Sequence, residues 1–336
     1  MIIPEFEYVA PGDLQEALDC LASHGEEAVV LAGGTDLLVR LKQRLLKPRF
    51  VVSLKNLRGL EGIHKKDGVI VLGAMTPLVE VLESETVGKY LPALKQAVEK
   101  IGAPSIQHFR GTIGGNLCLD TRCLFYNQSQ FWRSGRTPCH KDSGKTCYAE
   151  ENSDRCRSAN QSDGACALMA LGCDVVLAST GGQRVLPVGE FFTGKGESPF
   201  SIEPGELVVE LRVPEPGEGA GSSFQKITQR SAIDFALVSA AVSLRVQGGR
   251  FGGVRISVGG AGAAPLFLKE ASATLVGKPI DDNRSIDATS GLARKHASAF
   301  MVENLGSSLE YRQKMVHVLV RRGIKEAVAM ATGCCG

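Results

Sequence analysis

The chain has 336 residues, enough for two or three domains with cores of their own, and its 43% hydrophobic and 22% charged shares are those of an ordinary globular protein. A formal net charge of +2 gives no reason to expect nucleic acid or an anionic membrane as a partner. No apolar run approaches the roughly 18 residues that span a bilayer, and residues 1–7 carry acids where a signal peptide needs a basic start, so we expect a cytoplasmic protein.

The amino-terminal residues predict a unit of helix, strand, glycine turn and helix. Asp13 and Glu16 have the spacing of a capping box at the start of the first helix. Ala28-Val-Val-Leu-Ala32 is predicted to be a buried strand that leads directly into Gly33-Gly-Thr-Asp36, and a second helix begins near Leu37. This order of elements is typical of an α/β unit.

A hairpin and a second glycine turn follow along the chain. A strand is predicted at residues 51–54, and residues 62–72 are predicted to form a hairpin around Asp67-Gly68, a favoured tight-turn dipeptide. A helix over residues 93–101 then leads towards Thr112-Ile-Gly-Gly-Asn116. The amino-terminal half therefore contains two glycine turns.

The two glycine turns offer the chemistry of a nucleotide site. Glycines lack the Cβ atoms that would block a close approach, and the free backbone N–H groups of a strand-to-helix turn bind anions such as a pyrophosphate. Neither turn has the G-x-G-x-x-G spacing, which disfavours a Rossmann nicotinamide site. Each turn alone could be an ordinary loop without a ligand, but two in one domain favour a cofactor that is bound from both sides.

Residues 117–160, the cysteine insertion, contain five cysteines and no sustained helical or strand period, and four of these cysteines form a candidate ligand set. The spacing is C-x15-C-x7-C-x8-C, through Cys123, Cys139, Cys147 and Cys156. In a reducing compartment such a group indicates metal or redox chemistry, and a zinc ion or an iron–sulfur cluster would each accept four thiolates. The spacing lacks the close pairs of zinc knuckles and the ferredoxin run C-x2-C-x2-C, so zinc, a cluster and unligated loop cysteines all stay open. Cys118, Cys166 and Cys173 are additional candidates, although cysteines beside well-packed segments are more often buried apolar residues. Cys20, Cys334 and Cys335 are not expected to be ligands.

A domain boundary is predicted after residue 214, because prolines and glycines are dense over residues 214–221. We therefore predict one domain at residues 1–214, which includes the cysteine insertion, and a second at residues 221–330. The second domain has strands first and helices afterwards. The strands are predicted at residues 222–229, 237–246 and 254–258, and the helices near residues 267–275, 286–300 and 307–329.

Taken as a set, these motifs resemble the flavin-binding subunits of the molybdenum hydroxylase (xanthine oxidase) family over nearly the whole length. The residues that carry the resemblance are Phe6-Glu-Tyr8, Ala32-Gly-Gly-Thr-Asp36, Gly73-Ala-Met-Thr76, Thr112-Ile-Gly-Gly-Asn116, Phe224-Gln-Lys226 and Tyr311-Arg312. The resemblance implies an α+β fold. A PCMH-type (vanillyl-alcohol-oxidase-like) FAD-binding domain of two subdomains would be followed by a C-terminal α+β domain of the CO dehydrogenase flavoprotein C-terminal type.

The resemblance also implies which residues bind FAD. Those that would wrap the pyrophosphate are Val30, Leu31, Ala32, Gly33, Gly34, Thr35, Asp36 and Leu37. Those on the other side, or near the flavin ring, are Thr112, Gly115, Asn116, Leu119, Asp120, Asp163, Val208 and Lys226. A lysine beside the ring is chemically reasonable, because a cation stabilises the anionic reduced flavin.

The cysteine insertion looks most like that of the 4-hydroxybenzoyl-CoA reductase branch of the family. Asp120-Thr-Arg-Cys123 and Trp132-Arg-Ser-Gly135 carry this resemblance. It implies that a [4Fe-4S] cluster is held by Cys123, Cys139, Cys147 and Cys156. The implied partners are a large molybdopterin subunit, a small subunit with two [2Fe-2S] clusters and a ferredoxin-like electron carrier. The chain would then transfer electrons and contain no catalytic residue of its own.

Two other functions stay open on the residues alone. A self-sufficient FAD-dependent oxidoreductase would use the cysteines for a structural zinc site, although the chain shows no evident general base. A nucleotide-sensing or assembly factor would bind FAD without redox work. Hydrolases and NTPases are disfavoured, because neither a Gly-x-Ser-x-Gly elbow nor a P-loop is present.

Overall fold

The structure is a computed structural model that describes residues 3–333. Cys334 and Cys335, which were not expected to be ligands, lie outside the described residues. The strands are β1 (Glu7–Val9), β2 (Ala28–Leu31), β3 (Phe50–Ser53), β4 (Ile63–Lys66), β5 (Val69–Gly73), β6 (Asp174–Ser179), β7 (Gly182–Pro187), β8 (Leu207–Pro214), β9 (Ala220–Ile227), β10 (Val238–Gln247), β11 (Arg250–Gly259) and β12 (Leu266–Phe267). The helices are α1 (Leu14–His24), α2 (Leu37–Lys42), α3 (Leu78–Glu83), α4 (Glu85–Tyr90), α5 (Pro92–Glu99), α6 (Ile113–Leu117), α7 (Gln130–Ser134), α8 (Asp163–Leu171), α9 (Val188–Phe191), α10 (Lys269–Leu275), α11 (Asn283–Ser298) and α12 (Leu309–Ala331).

The strands form three sheets within the described part of the chain. The first is parallel, with the strand order β1-β3-β2. The second has the order β4-β5-β8-β6-β7 and the third has the order β12-β11-β10-β9, and both are antiparallel. Residues 215–219 connect β8 of the second sheet to β9 of the third, at the predicted domain boundary.

The parallel sheet packs with α1, whose ends have the predicted chemistry. The side chain of Asp13 accepts a hydrogen bond from the Glu16 N–H at 2.9 Å, and Gly25 follows the helix with a φ of 49°. The apolar face of α1 is buried through Ala17, Leu18 and Leu21. Strand β2 is half-buried rather than buried as predicted, because it is an edge strand whose Val29 and Val30 line a cleft.

The predicted hairpin is confirmed as β4 and β5 of the second sheet. Asp67 and Gly68 both have positive φ, at 51° and 75°, which is the backbone that a two-residue hairpin turn of this type requires. Strand β5 continues the sheet through antiparallel pairing with β8. This places the end of β5, and the second glycine turn that packs behind it, beside the same cleft.

The third sheet is covered on both faces. Helix α12 packs across β9 and β10, and α10 packs on β11, whereas α5 and α8 contact the sheet from the amino-terminal side. The approach of α12 is close, because a Cβ atom on Gly221 would lie 2.1 Å from the Ala327 carbonyl oxygen. The predicted order of strands and then helices is confirmed. No helix within residues 3–333 is long and apolar enough to cross a membrane.

Candidate cofactor site

A cleft of about 500 Å³ is lined by residues from all three sheets, and we call it the central cleft. Val30 contributes from β2, Val208 from β8 and Lys226 from β9. Its volume lies within the range of about 300–1,000 Å³ that is usual for sites of small molecules and cofactors.

The first glycine turn, residues 33–36, contacts the segment that leads into the second. A Cβ atom on Gly33 would lie 1.6 Å from the carbonyl oxygen of Arg110, so no larger residue fits there without moving the backbone. Gly34 has a φ of 75°, a conformation that other L-residues rarely adopt. The two turns are therefore neighbours at one wall of the central cleft, as their co-occurrence in the sequence predicted.

The second glycine turn, residues 111–116, begins helix α6. The hydroxyl of Thr112 accepts a hydrogen bond from the Gly115 N–H at 3.1 Å, which caps the helix. The Gly114 N–H donates to the Ala74 carbonyl at 2.8 Å, and a Cβ atom on Gly114 would lie 2.7 Å from that residue's Cβ. The turn is thus fixed against the end of β5.

Asn116 connects the second glycine turn to helix α8. Its Oδ1 atom accepts hydrogen bonds from the Ser162 hydroxyl at 2.8 Å and from the Gly164 N–H at 3.1 Å. Ser162 is also the N-cap of α8, since its hydroxyl accepts from the Ala165 N–H at 3.0 Å. These contacts fix Asp163 in the first turn of the helix, where the helix dipole favours a negative charge.

Asp163 and Lys226 form a buried ion pair in the wall of the central cleft. The Lys226 Nζ donates to Asp163 Oδ2 at 2.6 Å, and each side chain is only 4% exposed. Lys226 also donates to the Lys100 carbonyl at 2.8 Å. Burial raises the pKa of Asp163 to about 6, against the lowering effect of Lys226. The second carboxylate oxygen, Oδ1, is buried and has no hydrogen-bond partner among the residues that the structure describes.

Other buried polar atoms at the central cleft also lack a hydrogen-bond partner within residues 3–333. Both amide atoms of Gln161 are buried and unpaired, and the same holds for Nε of Arg40 and Nε of Arg122. A buried polar group without a partner costs about 1–3 kcal/mol. Polar groups of a ligand would satisfy these atoms, and the glycine turns leave room for a pyrophosphate. The residues of the cleft therefore fit FAD.

Most residues that the sequence assigned to FAD line the central cleft. They are Val30, Ala32, Gly33, Gly34, Thr35, Asp36, Leu37, Thr112, Gly115, Asn116, Leu119, Asp163, Val208 and Lys226. Two others do not line it. Leu31 packs with the small core cluster around Leu41. Asp120 is buried behind the wall, where it pairs with Arg40 at 2.9 Å and with Lys141 at 2.7 Å.

Arg40, Arg122 and Gln161 are among the polar residues of the cleft wall that were not predicted from the sequence. Arg40 follows Asp36 by four residues on α2, and an i,i+4 charge pattern could have identified it, since the two side chains lie 3.9 Å apart. Arg122 pairs with Asp36 across a long sequence separation, which no local pattern reveals.

Electrostatic interactions connect the four candidate cysteines of the insertion, Cys123 with Cys156 and Cys147, and Cys156 with Cys139. Burial raises the pKa of Cys123 to about 11, and the charges of Cys156 and Cys147 raise it further. Burial also raises the pKa of Cys156, with a smaller contribution from Cys139. Within the described residues, no group of three His, Cys, Asp or Glu side chains is arranged to hold a single metal ion. The thiols are therefore near one another, but not in the tight arrangement of a zinc site, where each sulfur lies about 2.3 Å from the ion.

Comparison with known families identifies the two halves of the chain. Residues 4–216 match the FAD binding domain in molybdopterin dehydrogenase, and residues 223–327 match the CO dehydrogenase flavoprotein C-terminal domain. The chain belongs to the molybdopterin dehydrogenase FAD-binding family. It is an FAD-binding subunit of the molybdenum hydroxylase type, and the predicted FAD-binding domain with a C-terminal flavoprotein domain is confirmed.

Relatives from this family align over almost the whole chain. The 6-hydroxypseudooxynicotine dehydrogenase complex subunit alpha of Paenarthrobacter nicotinovorans is 29% identical, over 98% of this chain and 96% of its own. The carbon monoxide dehydrogenase medium chain of Afipia carboxidovorans is also 29% identical, over 98% of this chain and 99% of its own. A carbon monoxide dehydrogenase structure from Hydrogenophaga pseudoflava superimposes with a TM-score of 0.79 at 27% identity, over 98% of this chain and 99% of that one. These similarities place the chain among oxidoreductase subunits.

Proposed function

We propose that this chain is the flavin and iron–sulfur subunit of a molybdenum hydroxylase complex, in which it passes electrons between a ferredoxin-like carrier and the [2Fe-2S] clusters of a partner. In this proposal the substrate binds to a large molybdopterin subunit, and a small subunit carries two [2Fe-2S] clusters. The cysteine insertion favours the 4-hydroxybenzoyl-CoA reductase branch of the family. A cytoplasmic location, expected from the sequence, is part of the same proposal.

The proposal depends on one feature, the four spaced cysteines of the insertion in the FAD-binding domain, whose thiols interact electrostatically. Cys123, Cys139, Cys147 and Cys156 would hold a [4Fe-4S] cluster in the cysteine insertion. Because burial raises the pKa of Cys123 and Cys156, iron has to displace their protons when it binds. A cluster supplies transfer of single electrons, and FAD exchanges electrons singly or in pairs.

The chain's own residues account for the flavin side of this function. Lys226 is held by Asp163 and so presents a fixed cation at the wall of the central cleft. Such a cation favours a reduced, anionic flavin. Gly33 and Gly115 lie at the cleft wall without Cβ atoms that would block the approach of a pyrophosphate. No residue of the chain is needed as a general base, because the substrate is placed on another subunit.

The experiment is to purify the chain without oxygen and compare Cys147→Ser with Cys20→Ser, a matched control on α1. The unsubstituted chain and the control are expected to contain iron and to show flavin bands over a broad iron–sulfur shoulder. Cys147→Ser is expected to lose the iron and the shoulder, keep FAD at saturating FAD concentration, and exchange no electrons with a reduced ferredoxin.

Two outcomes would contradict the proposal. One is stoichiometric zinc without iron in the anaerobically purified chain, which would indicate a structural metal site. The other is undiminished electron exchange in Cys147→Ser after loss of the cluster. Turnover of an organic donor by the isolated chain, without partner subunits, would instead support a self-sufficient oxidoreductase.

A further inference from the structure

A series of buried charges connects the cysteine insertion to the central cleft. Lys141 of the insertion donates to Asp120 Oδ1 at 2.7 Å, and Asp120 Oδ2 accepts from Arg40 at 2.9 Å. The side chains of Lys141 and Asp120 are 5% and 6% exposed. Lys141 also donates to the Gly196 carbonyl at 2.6 Å and to the Thr121 hydroxyl. The acceptors that enclose Lys141 lie at the start of the insertion, at Asp120 and Thr121, and outside it, at Gly196.

The series ends at the first glycine turn. Arg40 lies 3.9 Å from Asp36, and Arg122 pairs with the other carboxylate oxygen of Asp36. All three residues line the central cleft. The unpaired Nε atoms of both arginines are buried at this wall. The position of Arg40 therefore affects the wall that a cofactor contacts.

At its other end the series reaches two of the four cysteines. Lys141 lies two residues after Cys139, in a short turn where the Asp142 N–H donates to the Cys139 carbonyl at 2.8 Å. The Thr121 hydroxyl is 2.6 Å from the Ser158 hydroxyl, which is 3.1 Å from the Cys156 sulfur. The backbone that places Lys141 is thus the same backbone that places a proposed cluster ligand.

We propose that Lys141 is a positioning residue that couples the cysteine insertion to the FAD site. If the segment around Cys139 and Lys141 loses its order, Lys141 leaves Asp120, and this buried carboxylate keeps only Arg40 as a charged partner, which is unfavourable. Arg40 is the remaining cation near Asp120, so it turns towards that carboxylate and away from Asp36. The wall of the central cleft changes, and FAD binds more weakly. This inference rests on the proposed function, because the cluster is what orders the insertion. The coupling is reciprocal by thermodynamic necessity, so binding at the FAD site and binding in the insertion affect each other by the same factor.

The test measures the dissociation constant of FAD for the full chain, by flavin fluorescence, together with iron per chain. Lys141→Met is expected to weaken FAD binding about tenfold, within the usual range of coupling between two sites. Lys145→Met, an exposed lysine of the same insertion, is the matched control and is expected to change nothing. Lys141→Arg, which keeps the charge, is expected to restore most of the affinity.

The cluster variant distinguishes coupling from simple damage to the fold. Cys147→Ser is expected to weaken FAD binding by a similar factor, and Lys141→Met combined with Cys147→Ser is expected to be no weaker than either alone. Effects that multiply would mean that the two residues act independently, which overturns the proposal. Asp120→Asn removes the negative charge that Lys141 pairs with but keeps the shape of the side chain. Full FAD affinity in both Asp120→Asn and Lys141→Met also overturns the proposal.

Iron content separates failure of this inference from failure of the proposed function. An unsubstituted chain without iron refutes the cluster and therefore the proposed function. A chain with its full iron content, whose FAD affinity does not depend on Cys147 or Lys141, refutes the coupling alone.

Discussion

Substitution of Lys226 by methionine tests the physical basis of the flavin site. The change removes the cation that lies 2.6 Å from Asp163, while the long apolar stem is roughly retained. Asp163 then has no oppositely charged partner in a site where its side chain is 4% exposed. We expect a large loss of stability in the chain without FAD, because one member of a buried ion pair is left behind.

The magnitude follows from the surroundings of Asp163. Breaking a buried pair on one side usually costs about 3–5 kcal/mol. The first turn of α8 partly stabilises the remaining carboxylate, by about 0.3–1 kcal/mol. We therefore expect a loss of about 3 kcal/mol in the free energy of unfolding at pH 7.5. In Lys226→Met combined with Asp163→Asn no charge is left unpaired, and we expect that variant to lie within about 1 kcal/mol of the unsubstituted chain.

The assay is denaturant unfolding of the chain without FAD at pH 7.5 and at pH 5. Burial raises the pKa of Asp163 from 3.8 to about 6, so ionisation of this carboxyl opposes folding. The contribution of the protonated carboxyl to the free energy of unfolding is fully present below pH 4 and is lost as the pH rises through 6. Without Lys226 the pKa of this carboxyl rises further. The penalty of Lys226→Met should therefore shrink at pH 5, where the carboxyl is protonated. A penalty that does not change with pH, or a double variant as unstable as the single one, would refute the reasoning.

Two further substitutions test the turns and the C-terminal domain. Gly33→Ala places a Cβ atom 1.6 Å from the Arg110 carbonyl oxygen. We expect this variant to be destabilised by at least about 3 kcal/mol in the same unfolding assay and to lose FAD binding. The control Gly217→Ala should be neutral, because no atom lies within 4 Å of its Cβ position. Arg312→Met removes a fully buried guanidinium and should lower the free energy of unfolding by about 3 kcal/mol or more, while the FAD affinity of the folded chain stays unchanged. The exposed control Lys314→Met should lower the free energy of unfolding by less than about 1 kcal/mol. The carbonyl groups that lose their donor in Arg312→Met are those of Leu237, Val302 and Gly260.

The elements that could be predicted from the sequence are those with strong local patterns. The capped first helix, the hairpin at Asp67-Gly68 and the two glycine turns each depend on residues that lie within a few positions of one another. The same is true of the three long strands and three helices of the C-terminal domain. Local propensity and fold agree at these positions, so the pattern is sufficient.

The arrangement of charges behind the cleft could not be predicted in the same way. Arg122 and Asp36 are far apart in the sequence, and Lys141 reaches Asp120 only because the insertion folds back on the domain. Asp120 illustrates the difference. The family resemblance assigned it to the flavin, whereas the structure places it behind the wall as the acceptor of two cations. Its assignment to FAD binding stays a prediction of the resemblance alone.

The cysteine insertion depends on polar contacts more than on a hydrophobic core. Few of its apolar side chains are buried, and Tyr126 is the largest of those that are. Paired backbone hydrogen bonds of Arg122 with Ala159, at 2.8 Å each, close the two ends of the insertion, and the Leu124 N–H donates to the Asn304 carbonyl outside it at 3.0 Å. Each such bond contributes about 0.5–1.5 kcal/mol. Metal binding contributes far more than a hydrogen bond. We therefore expect the proposed cluster to stabilise this segment beyond its own contacts, and Lys141 to connect such a centre to the flavin site.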